Sequence, residues 1–238
     1  MAVSYNPGIV TNGLVLCLDA ANRKSYPGTG TGWFDISGVN TNGTLTNGPT
    51  YSFADSGIIT FDGSDDVVIL SPNTLFQFTN TQPFTISVWC KWTQTSGVST
   101  LFAFAQTSGP GYYFVLDKSA LRANSFLFDY WDGGPFRGIQ GNIDSITPNT
   151  WINLTATSAS NSVSDMKVYQ NGILTSYTNR GEGTPATPDY SGSNLQIGAR
   201  GSGGYLQGNI SSCMVYNRAL NEQEILQNFN ALRGRFNI

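Results

Sequence analysis

Short runs of alternating apolar and polar residues are the feature that most constrains the fold of this 238-residue chain. The clearest run, residues 84–93, places five apolar side chains on one side: Phe84, Ile86, Val88, Cys90 and Trp92. Ten further runs share this period of two, at 13–19, 57–62, 66–70, 100–106, 112–118, 125–131, 151–157, 165–170, 195–199 and 209–216. Because side chains alternate across a strand, each run predicts a β-strand. Runs 100–106 and 125–131 are apolar on both faces, which is typical of strands that are covered on both sides.

Turn residues separate these strands, and they favour an antiparallel arrangement. Asn171-Gly172 lies between two strand-like segments, and this pair is the strongest short hairpin signal because both positions of a type I′ turn need positive φ. Residues 108–111 and 132–135 predict two further chain reversals. Neither an internal repeat nor a linker divides the chain. The sequence therefore predicts an all-β, two-sheet antiparallel sandwich formed by a single domain over residues 1–238.

Residues 221–233 form the only segment with a helical pattern. Asn221 is a favourable N-cap, and Glu224 completes a capping box three residues later. Leu220 and Ile225 occupy the positions of a hydrophobic staple, and Gly234 predicts a left-handed stop. The predicted apolar face contains Ile225, Leu226, Phe229 and Leu232. We expect this short C-terminal helix to cover an edge or open end of the sandwich, and docking of a partner is the alternative role.

Composition excludes several classes of function. The chain contains no histidine, which removes Ser-His-Asp and Cys-His nucleophile systems and His-ligated zinc. Its formal net charge is −3, and no cluster of Lys or Arg occurs along the sequence, so nucleic-acid binding is not expected. Hydrophobic residues make up 39%, which is enough apolar surface for an ordered core.

Other sequence features bear on compartment and thiol chemistry. No apolar run approaches the length of a membrane span, and the N-terminal residues lack the pattern of a signal peptide. Cys17, Cys90 and Cys213 each lie within an apolar alternating run, which predicts three buried and unreactive thiols. Residues 1–12 are compatible with an anchoring arm or with a simple approach to the first strand.

Five sequence blocks resemble a known family. These blocks are residues 13–51, 59–70, 84–92, 151–172 and 195–236. They resemble laminin G-like, concanavalin A-like domains of phage and other microbial surface proteins. The first and last blocks are similar to virion structural proteins of tailed phages, notably those that infect marine cyanobacteria. The resemblance implies a two-sheet jelly roll whose ligands, where present, bind on the concave sheet face or at loops along one rim.

The same resemblance raises the question of glycan hydrolysis, because the enzymatic branch of this fold uses two closely spaced Glu residues on one strand. This chain has only Glu182, Glu222 and Glu224, and none lies on a predicted strand. Asp129 and Asp132 are three positions apart and would face opposite sides of a regular strand. The sequence therefore predicts that the protein is not an enzyme.

Residues 125–142 contain the mixture of aromatic and charged groups that is typical of lectin sites. Asp129 and Trp131 share one side of the predicted strand, and Arg137 follows the next turn. The neighbouring strand offers Tyr112 or Tyr113. We expect Asp129, Trp131, Arg137 and Tyr112 to form a shallow glycan-binding patch. The alternative is that these aromatics are simply half-buried residues of the sandwich.

Asp62, Asp65 and Asp66 concentrate three carboxylates at a turn between two predicted strands. Calcium prefers oxygen ligands, so this turn is a candidate calcium site, although Asp-Gly is also ordinary turn chemistry. Asp35 is a further candidate ligand, with an Asx-turn role as the alternative. No cofactor is required by any pattern in the sequence.

Together these features predict a non-catalytic virion structural protein, located on the capsid, neck or tail of a phage particle as a decoration or host-surface adhesin. Its expected partners are other virion proteins and a cell-surface glycan, without membrane insertion. Loops 28–50 and 179–205 are rich in small polar residues suited to such contacts. A homo-oligomer is compatible with this function because multivalency strengthens weak adhesion. The alternative is a free carbohydrate-binding lectin of cellular origin.

Overall fold

Two antiparallel sheets pack face to face in the computed structural model, with one helix near the C-terminus. The structure describes residues 8–71, 74–76, 78, 82–105, 111–117, 125–131, 136–142, 147–160, 162–181 and 194–238. This arrangement confirms the predicted all-β, two-sheet sandwich with a short C-terminal helix. Within those residues, the structure contains no helix with the length and apolar character needed to span a membrane.

The described part of the chain contains seventeen strands and one α-helix. The strands are β1 (Leu14–Asp19), β2 (Gly32–Trp33), β3 (Gly43–Thr46), β4 (Thr50–Ser52), β5 (Ile58–Asp62), β6 (Val67–Leu70), β7 (Phe84–Trp92), β8 (Val98–Ala105), β9 (Gly111–Asp117), β10 (Ser125–Trp131), β11 (Arg137–Asn142), β12 (Ile152–Ser158), β13 (Met166–Gln170), β14 (Ile173–Leu174), β15 (Tyr177–Asn179), β16 (Asn194–Ile197) and β17 (Gln207–Tyr216). The helix, α1, spans Glu222–Leu232. Single 3₁₀ turns are formed by Ala54–Ser56, Thr74–Phe76, Val163–Asp165 and Arg233–Arg235.

The strands are divided between an eight-stranded and a nine-stranded sheet. The first sheet has the order β14-β13-β12-β7-β17-β5-β4, and β1 also pairs with β17. The second sheet has the order β15-β11-β10-β9-β8-β16-β6-β3-β2. Because strands distant in sequence become neighbours, each sheet brings together residues that no local pattern connects.

The core lies between the two sheets and is rich in aromatic side chains. The alternation predicted for β7 is confirmed, since Phe84, Ile86, Val88, Cys90 and Trp92 all belong to this core. Phe84 contacts the second sheet through Phe128, with ring centroids 5.3 Å apart, and Tyr112, at 5.7 Å. Aromatic side chains bury large apolar areas and form favourable edge and offset contacts, so these pairs hold the two sheets together.

Helix α1 covers the outer face of the first sheet, rather than an edge or open end as the sequence suggested. Trp89 lies on β7 and points away from the core toward the helix. Its ring stacks on Phe229 of the helix at 5.5 Å and on Phe236 beyond the helix at 4.3 Å. A large apolar residue on the outer face of a central strand needs a cover, and the helix and the residues after it provide that cover.

The helix begins as predicted but ends differently. Asn221 accepts a hydrogen bond from the Glu224 backbone N–H, and the Glu224 side chain completes the capping box. The predicted stop at Gly234 is wrong, because the chain continues from α1 into the 3₁₀ turn Arg233–Arg235 and positive φ occurs at Asn237 instead. This extension brings Phe236 onto Trp89.

The buried face of the helix also differs by one residue from the prediction. Leu226 is 43% exposed, whereas Asn228 is 3% exposed and lies against the sheet. The Asn228 side chain accepts a hydrogen bond from the Val10 N–H at 2.8 Å and donates one to the Tyr216 hydroxyl at 3.0 Å. That hydroxyl donates in turn to the Val10 carbonyl at 2.9 Å. Asn228 is buried because this closed network satisfies its polar atoms.

The same network fixes the beginning of the described chain. Ile9 and Val10 pack into the apolar layer between α1 and the first sheet. Gln227 donates to the Gly8 carbonyl at 2.8 Å, and Arg218 donates to the Asn12 carbonyl at 2.8 Å. Residues 8–12 are therefore an approach to β1 that is attached to the domain, and the remaining residues of the suggested arm, 1–7, lie outside the described residues.

The hairpin prediction and the thiol prediction are both confirmed. Asn171 and Gly172 have φ values of 51° and 78° and connect β13 to β14. The other two predicted reversals, at 108–111 and 132–135, lie almost wholly outside the described residues. All three cysteines are buried and free, and burial raises the pKa of Cys17 to about 12. A thiol with so high a pKa is not a nucleophile at neutral pH.

We predict that Asn228→Ala destabilises the protein by about 2 kcal/mol, because it leaves the buried Val10 N–H without its acceptor and removes the hydrogen bond that the Tyr216 hydroxyl accepts. Urea unfolding followed by tryptophan fluorescence measures this loss. Gln227→Ala is the matched control, since it removes an exposed hydrogen bond on the same helix turn and should change stability by less than about 0.5 kcal/mol. Equal effects of the two substitutions would contradict the structural role assigned to Asn228.

Candidate functional site

A buried charged pair lies on the outer face of the second sheet. Asp129 is on β10, directly opposite Tyr113 on β9 and Gly138 on β11. Its side chain points away from the sandwich core and is nevertheless almost completely buried. The Arg180 guanidinium pairs with the Asp129 carboxylate, and it too is largely buried. A charged carboxylate is buried at low cost only when it is paired in this way.

Arg180 reaches Asp129 because the intervening strand offers no side chain. The Arg180 N–H, which follows β15, donates to the Gly138 carbonyl at 2.8 Å, so Arg180 and Asp129 lie on opposite sides of Gly138. A Cβ at Gly138 would lie 2.7 Å from an Asp129 carboxylate oxygen and 2.1 Å from the Phe128 carbonyl oxygen. Glycine at this position therefore keeps open the path that the arginine follows.

Two accessible aromatic rings border the charged pair. Trp131 is on the same face of β10 as Asp129 and is half-buried, and Phe136 is 39% exposed. Their ring centroids are 6.3 Å apart, and the Arg180 guanidinium lies 5.6 Å from the centre of the Phe136 ring. We refer to Tyr113, Asp129, Trp131, Phe136 and Arg180 as the outer cluster.

A second arginine approaches the outer cluster from the other side. The Arg200 guanidinium lies 5.7 Å from the centre of the Tyr113 ring. Ala103 on β8 separates Tyr113 from Gln196 on β16, and its small side chain leaves room for this approach. The Gln196 side chain accepts a hydrogen bond from the Gly201 N–H at 2.7 Å, which fixes the turn that carries Arg200. Cationic side chains thus flank the face from two directions.

The structure brings together only part of the glycan site predicted from sequence. Asp129 and Trp131 share one face, as expected. Tyr112 does not join them, because it points into the core against Phe84, and the alternative residue, Tyr113, lies opposite Asp129. Arg137 does not join them either, because it lies opposite Tyr130 and therefore on the other face of the sheet.

Sequence analysis missed Arg180, which supplies the cation that Arg137 was expected to provide. Arg180 lies 51 positions after Asp129 and belongs to no local motif around it. Only the order of strands β10, β11 and β15 makes the two residues neighbours. The one available signal was Gly138, since a glycine inside a strand often marks a close approach of another group.

The described glutamates have structural roles at the start of α1. Glu224 accepts hydrogen bonds from Arg218 at 2.7 and 2.9 Å and from the Asn221 N–H. The hydrogen bonds from Arg218 lower the pKa of Glu224 below its usual value. Glu222 lies 4.0 Å from Lys167 on the surface. Glu182 and Asp132, which the sequence analysis also considered, lie outside the described residues.

The candidate calcium ligands do come together at the turn between β5 and β6. One carboxylate oxygen from each of Asp62, Asp65 and Asp66 lies within 4.8 Å of the others. Since calcium binds oxygens at 2.3–2.6 Å, ligand oxygens at this separation can share one ion. Asp62 accepts a hydrogen bond from the Ser64 N–H, and Asp66 accepts one from the Asp62 N–H, so both carboxylates also stabilise the turn.

The electrostatics of this turn are compatible with a cation. Burial raises the pKa of Asp66, the hydrogen bond from the Asp62 N–H lowers it, and the charges of Asp62 and Asp65 raise it again. The ionised form of Asp66 is therefore disfavoured in the folded protein. Asp35 does not belong to the group of neighbouring carboxylates found among the described residues; its carboxylate accepts hydrogen bonds from the Ser37 and Thr41 N–H groups in an Asx-type turn.

We predict that calcium raises the melting temperature of the protein and that Asp66→Asn abolishes this effect. Because the folded-state pKa of Asp66 is raised, its ionisation reduces stability as pH rises above its usual pKa. Without calcium at pH 7, Asp66→Asn should therefore be at least as stable as the unsubstituted protein, and this advantage should decrease toward acidic pH. Differential scanning calorimetry with EDTA or calcium measures both effects, and an equal response of the two proteins to calcium would contradict the hypothesis.

Comparisons with known proteins agree with the observed architecture. Residues 62–226, well over half of the chain, match the family model described as the concanavalin A-like lectin/glucanases superfamily. No curated protein matches the sequence.

Several solved structures have the same fold at low sequence identity. The receptor-binding domain of botulinum neurotoxin C/D mosaic serotype aligns with a TM-score of 0.67 and 14% identity over 92% of this chain and 51% of that one. The binding domain of Paraclostridial Mosquitocidal Protein 1 aligns at 0.67 and 20% identity over 93% of this chain and 52% of that one. The present chain therefore spans about half the length of these toxin domains.

A third similar structure has nearly the same extent as this chain. Domain 4 of an extracellular arabinanase from Geobacillus stearothermophilus, determined in complex with arabinotriose, aligns with a TM-score of 0.65 and 16% identity over 90% of this chain and 97% of that one. At such identities the likeness concerns the fold alone. The sandwich, its strand order and the match over residues 62–226 lead to one conclusion: the chain belongs to the concanavalin A-like lectin/glucanase superfamily.

Proposed function

We propose that this chain is a non-catalytic carbohydrate-binding domain and that the outer cluster is its ligand site. The observation that carries the proposal is the Asp129–Arg180 pair, which lies among aromatic side chains on the outer face of the second sheet. Glycan sites combine an aromatic surface with a few fixed polar groups, and the outer cluster has both.

The accessible aromatics provide the surface on which a sugar ring can stack. Phe136 and Trp131 are the aromatic members of the outer cluster that solvent reaches most easily. The planes of the two rings are inclined at 31° to each other, so the rings form a shallow angled surface and not a flat one. Such a surface suits the apolar side of one or two linked sugar units.

The charged pair is better explained by ligand binding than by stability. Its immediate surroundings on this face are apolar, formed by Ala103, Val115 and Leu127. Replacing a buried ion pair by well-packed apolar residues is often neutral or stabilising, so packing alone gives no reason for Asp129 and Arg180 to be there. As a fixed pair they hold the guanidinium against Phe136, so that a cation lies beside the exposed aromatic surface that a ligand would contact.

The proposal of a non-catalytic role is supported by the positions of the carboxylates. Retaining and inverting hydrolysis both need a second carboxyl group and one group kept as an acid. Asp129 is ion-paired with Arg180, so its carboxylate is already engaged within the protein. Glu222 and Glu224 are at the N-terminal turn of α1, where they complement the helix dipole.

The arabinotriose complex supports a short glycan as the class of ligand. In that structure a domain of the same fold and nearly the same length holds an oligosaccharide. We propose a comparable oligosaccharide for this chain, without carrying over the identity of its sugar.

We propose a phage particle as the setting in which this domain acts. Support comes from the similarity of residues 13–51 and 195–236 to tailed-phage virion structural proteins. Display on the capsid, neck or tail would place the outer cluster where it meets host-surface glycans. Several copies on one particle would raise the avidity of a weak individual site. A free lectin of cellular origin is the alternative.

We predict that Trp131→Ala and Phe136→Ala each weaken glycan binding by about tenfold, since each removes a stacking surface worth about 1.4 kcal/mol. Glycan-array screening identifies the ligand, and isothermal titration calorimetry measures its affinity for each variant. Ile173→Ala is the matched control, because Ile173 is 69% exposed on the first sheet and away from the outer cluster.

Two results would contradict this proposal. An array without signal for the unsubstituted protein would exclude glycan binding under the conditions used. Release of reducing ends from any glycan, with loss of turnover in Asp129→Asn, would show that the domain is catalytic.

We predict that mass spectrometry of purified particles detects this protein at a fixed ratio to the major capsid protein. The reason is that a structural component is assembled in a set number of copies. If the amount of this protein per particle instead falls with each wash, as it does for a soluble contaminant, the protein is a free lectin.

A further inference from the structure

The fold collects basic residues that are scattered along the sequence. Five of the twelve Lys and Arg residues lie at one end of the first sheet and at the C-terminal end of the helix: Arg23, Lys24, Lys91, Arg233 and Arg235. We refer to these five residues as the basic end. In the sequence only neighbouring pairs of them are visible, so no basic cluster could be predicted.

Side-chain contacts connect the first part of the basic end. The Arg23 guanidinium lies 4.7 Å from the centre of the Phe53 ring. Two residues later, Asp55 accepts hydrogen bonds from Lys91 at 3.3 Å and from the Trp151 indole N–H at 2.7 Å. Arg23 and Lys91 are thus joined through residues 53–55, which connect β4 to β5.

The second part of the basic end continues from Trp151. The centroid of the Trp151 ring lies 4.6 Å from the centroid of the Phe236 ring, and Phe236 directly follows Arg235 in the chain. Arg235 forms two hydrogen bonds to Asp19, at 2.7 and 2.9 Å, and the loop that carries Arg23 and Lys24 begins immediately after Asp19. These contacts therefore connect the residues of the basic end to one another around a single surface.

This surface has the opposite charge to the rest of the protein. The basic end and its two carboxylates, Asp19 and Asp55, sum to +3, while the whole chain carries −3, so the remainder carries −6. Lys91 and Arg235 are ion-paired. Arg23, Lys24 and Arg233 are exposed, and within the described residues none of them has a carboxylate at ion-pair distance.

The cations are held in place by aromatic rings. Arg23 lies over Phe53, Lys91 lies 5.1 Å from the Trp151 ring centre, and Arg233 lies 5.8 Å from that of Phe229. A cation over an aromatic face is attracted by the negative charge of the ring and loses part of its freedom before any ligand arrives. Binding an anion there costs less conformational entropy than binding it with freely moving side chains.

We propose that the basic end binds an acidic polysaccharide, with its exposed cations pairing with successive sulfate or carboxylate groups. A polysaccharide fits the exposed aromatic surface better than a nucleic acid does. Phe53 is 62% exposed, whereas Trp151 and Phe229 are 9% and 8% exposed. One open ring can stack on one sugar, while single-stranded nucleic acids use a series of stacking platforms.

This inference goes beyond the proposed function because it concerns a different surface. The outer cluster belongs to the second sheet, whereas the basic end is formed around the first sheet and the residues after α1. The two surfaces can therefore be tested independently on the same intact chain.

The test compares single charge reversals at matched exposed positions. Arg23→Glu and Arg233→Glu change the basic end, and Lys167→Glu is the control, because Lys167 is an exposed cation on β13 and its reversal changes the net charge by the same amount. Surface plasmon resonance at several salt concentrations measures binding of the full chain to oligoalginate, a polyuronate, and to dextran sulfate. We expect each basic-end reversal to weaken binding about fivefold and to reduce its salt dependence, and the control to change it less than twofold.

Other probes and variants decide between this inference and its alternatives. Single-stranded DNA or polyglutamate of equal charge should bind more weakly than the polysaccharides, and stronger binding of either would overturn the inference. An equal loss in Lys167→Glu would also overturn it, since the position of the charge would then not matter. Trp131→Ala should keep its affinity for the acidic polymers. If it loses that affinity, there is no separate site at the basic end, although the proposed function stands.

Discussion

Strand β7 imposes the constraint on which the rest of the structure depends, because both of its faces must be buried. Its inner residues, such as Phe84, pack against the second sheet, while Trp89 projects from the opposite face. A tryptophan at the centre of a sheet surface requires a third layer. Phe229 and Phe236 supply it, so the end of the chain must return across the first sheet. The Asn228 network then attaches residues 8–12 to that layer.

The two outer faces of the sandwich consequently differ in character. The helix covers the first sheet, whereas the outer cluster occupies the corresponding face of the second. There, Gly138 and Ala103 leave gaps through which Arg180 and Arg200 reach Asp129 and Tyr113. The small residues at these two positions thus determine where arginine side chains can cross the outer face of the sheet. A buried ion pair adds little net stability, and this pair places a cation beside an aromatic surface.

The distribution of charge over the surface also depends on the fold. A chain with 11% charged residues and a net charge of −3 still presents a positive surface, because the ends of several elements meet around Trp151. Cation–π contacts hold three of these cations beside aromatic rings, which lowers the entropy cost of binding an anionic ligand there. If both proposals hold, the domain contacts glycans through two surfaces that differ in chemistry.

Local patterns in the sequence determined eleven of the seventeen described strands, the hairpin at Asn171-Gly172 and the capped start of α1, because alternation, turn propensity and capping act between residues that are close along the chain. The other six strands, β2, β3, β4, β11, β14 and β15, show no such alternation and form only where a neighbouring strand pairs with them. They also identified Asp129 and Trp131 as members of one face and grouped Asp62, Asp65 and Asp66. Tertiary structure alone decided that Tyr113 rather than Tyr112 joins Asp129, that Arg180 rather than Arg137 is its partner, and that the helix covers a sheet face. Each of these outcomes depends on strand order and register between distant segments, which the period of a single strand does not encode.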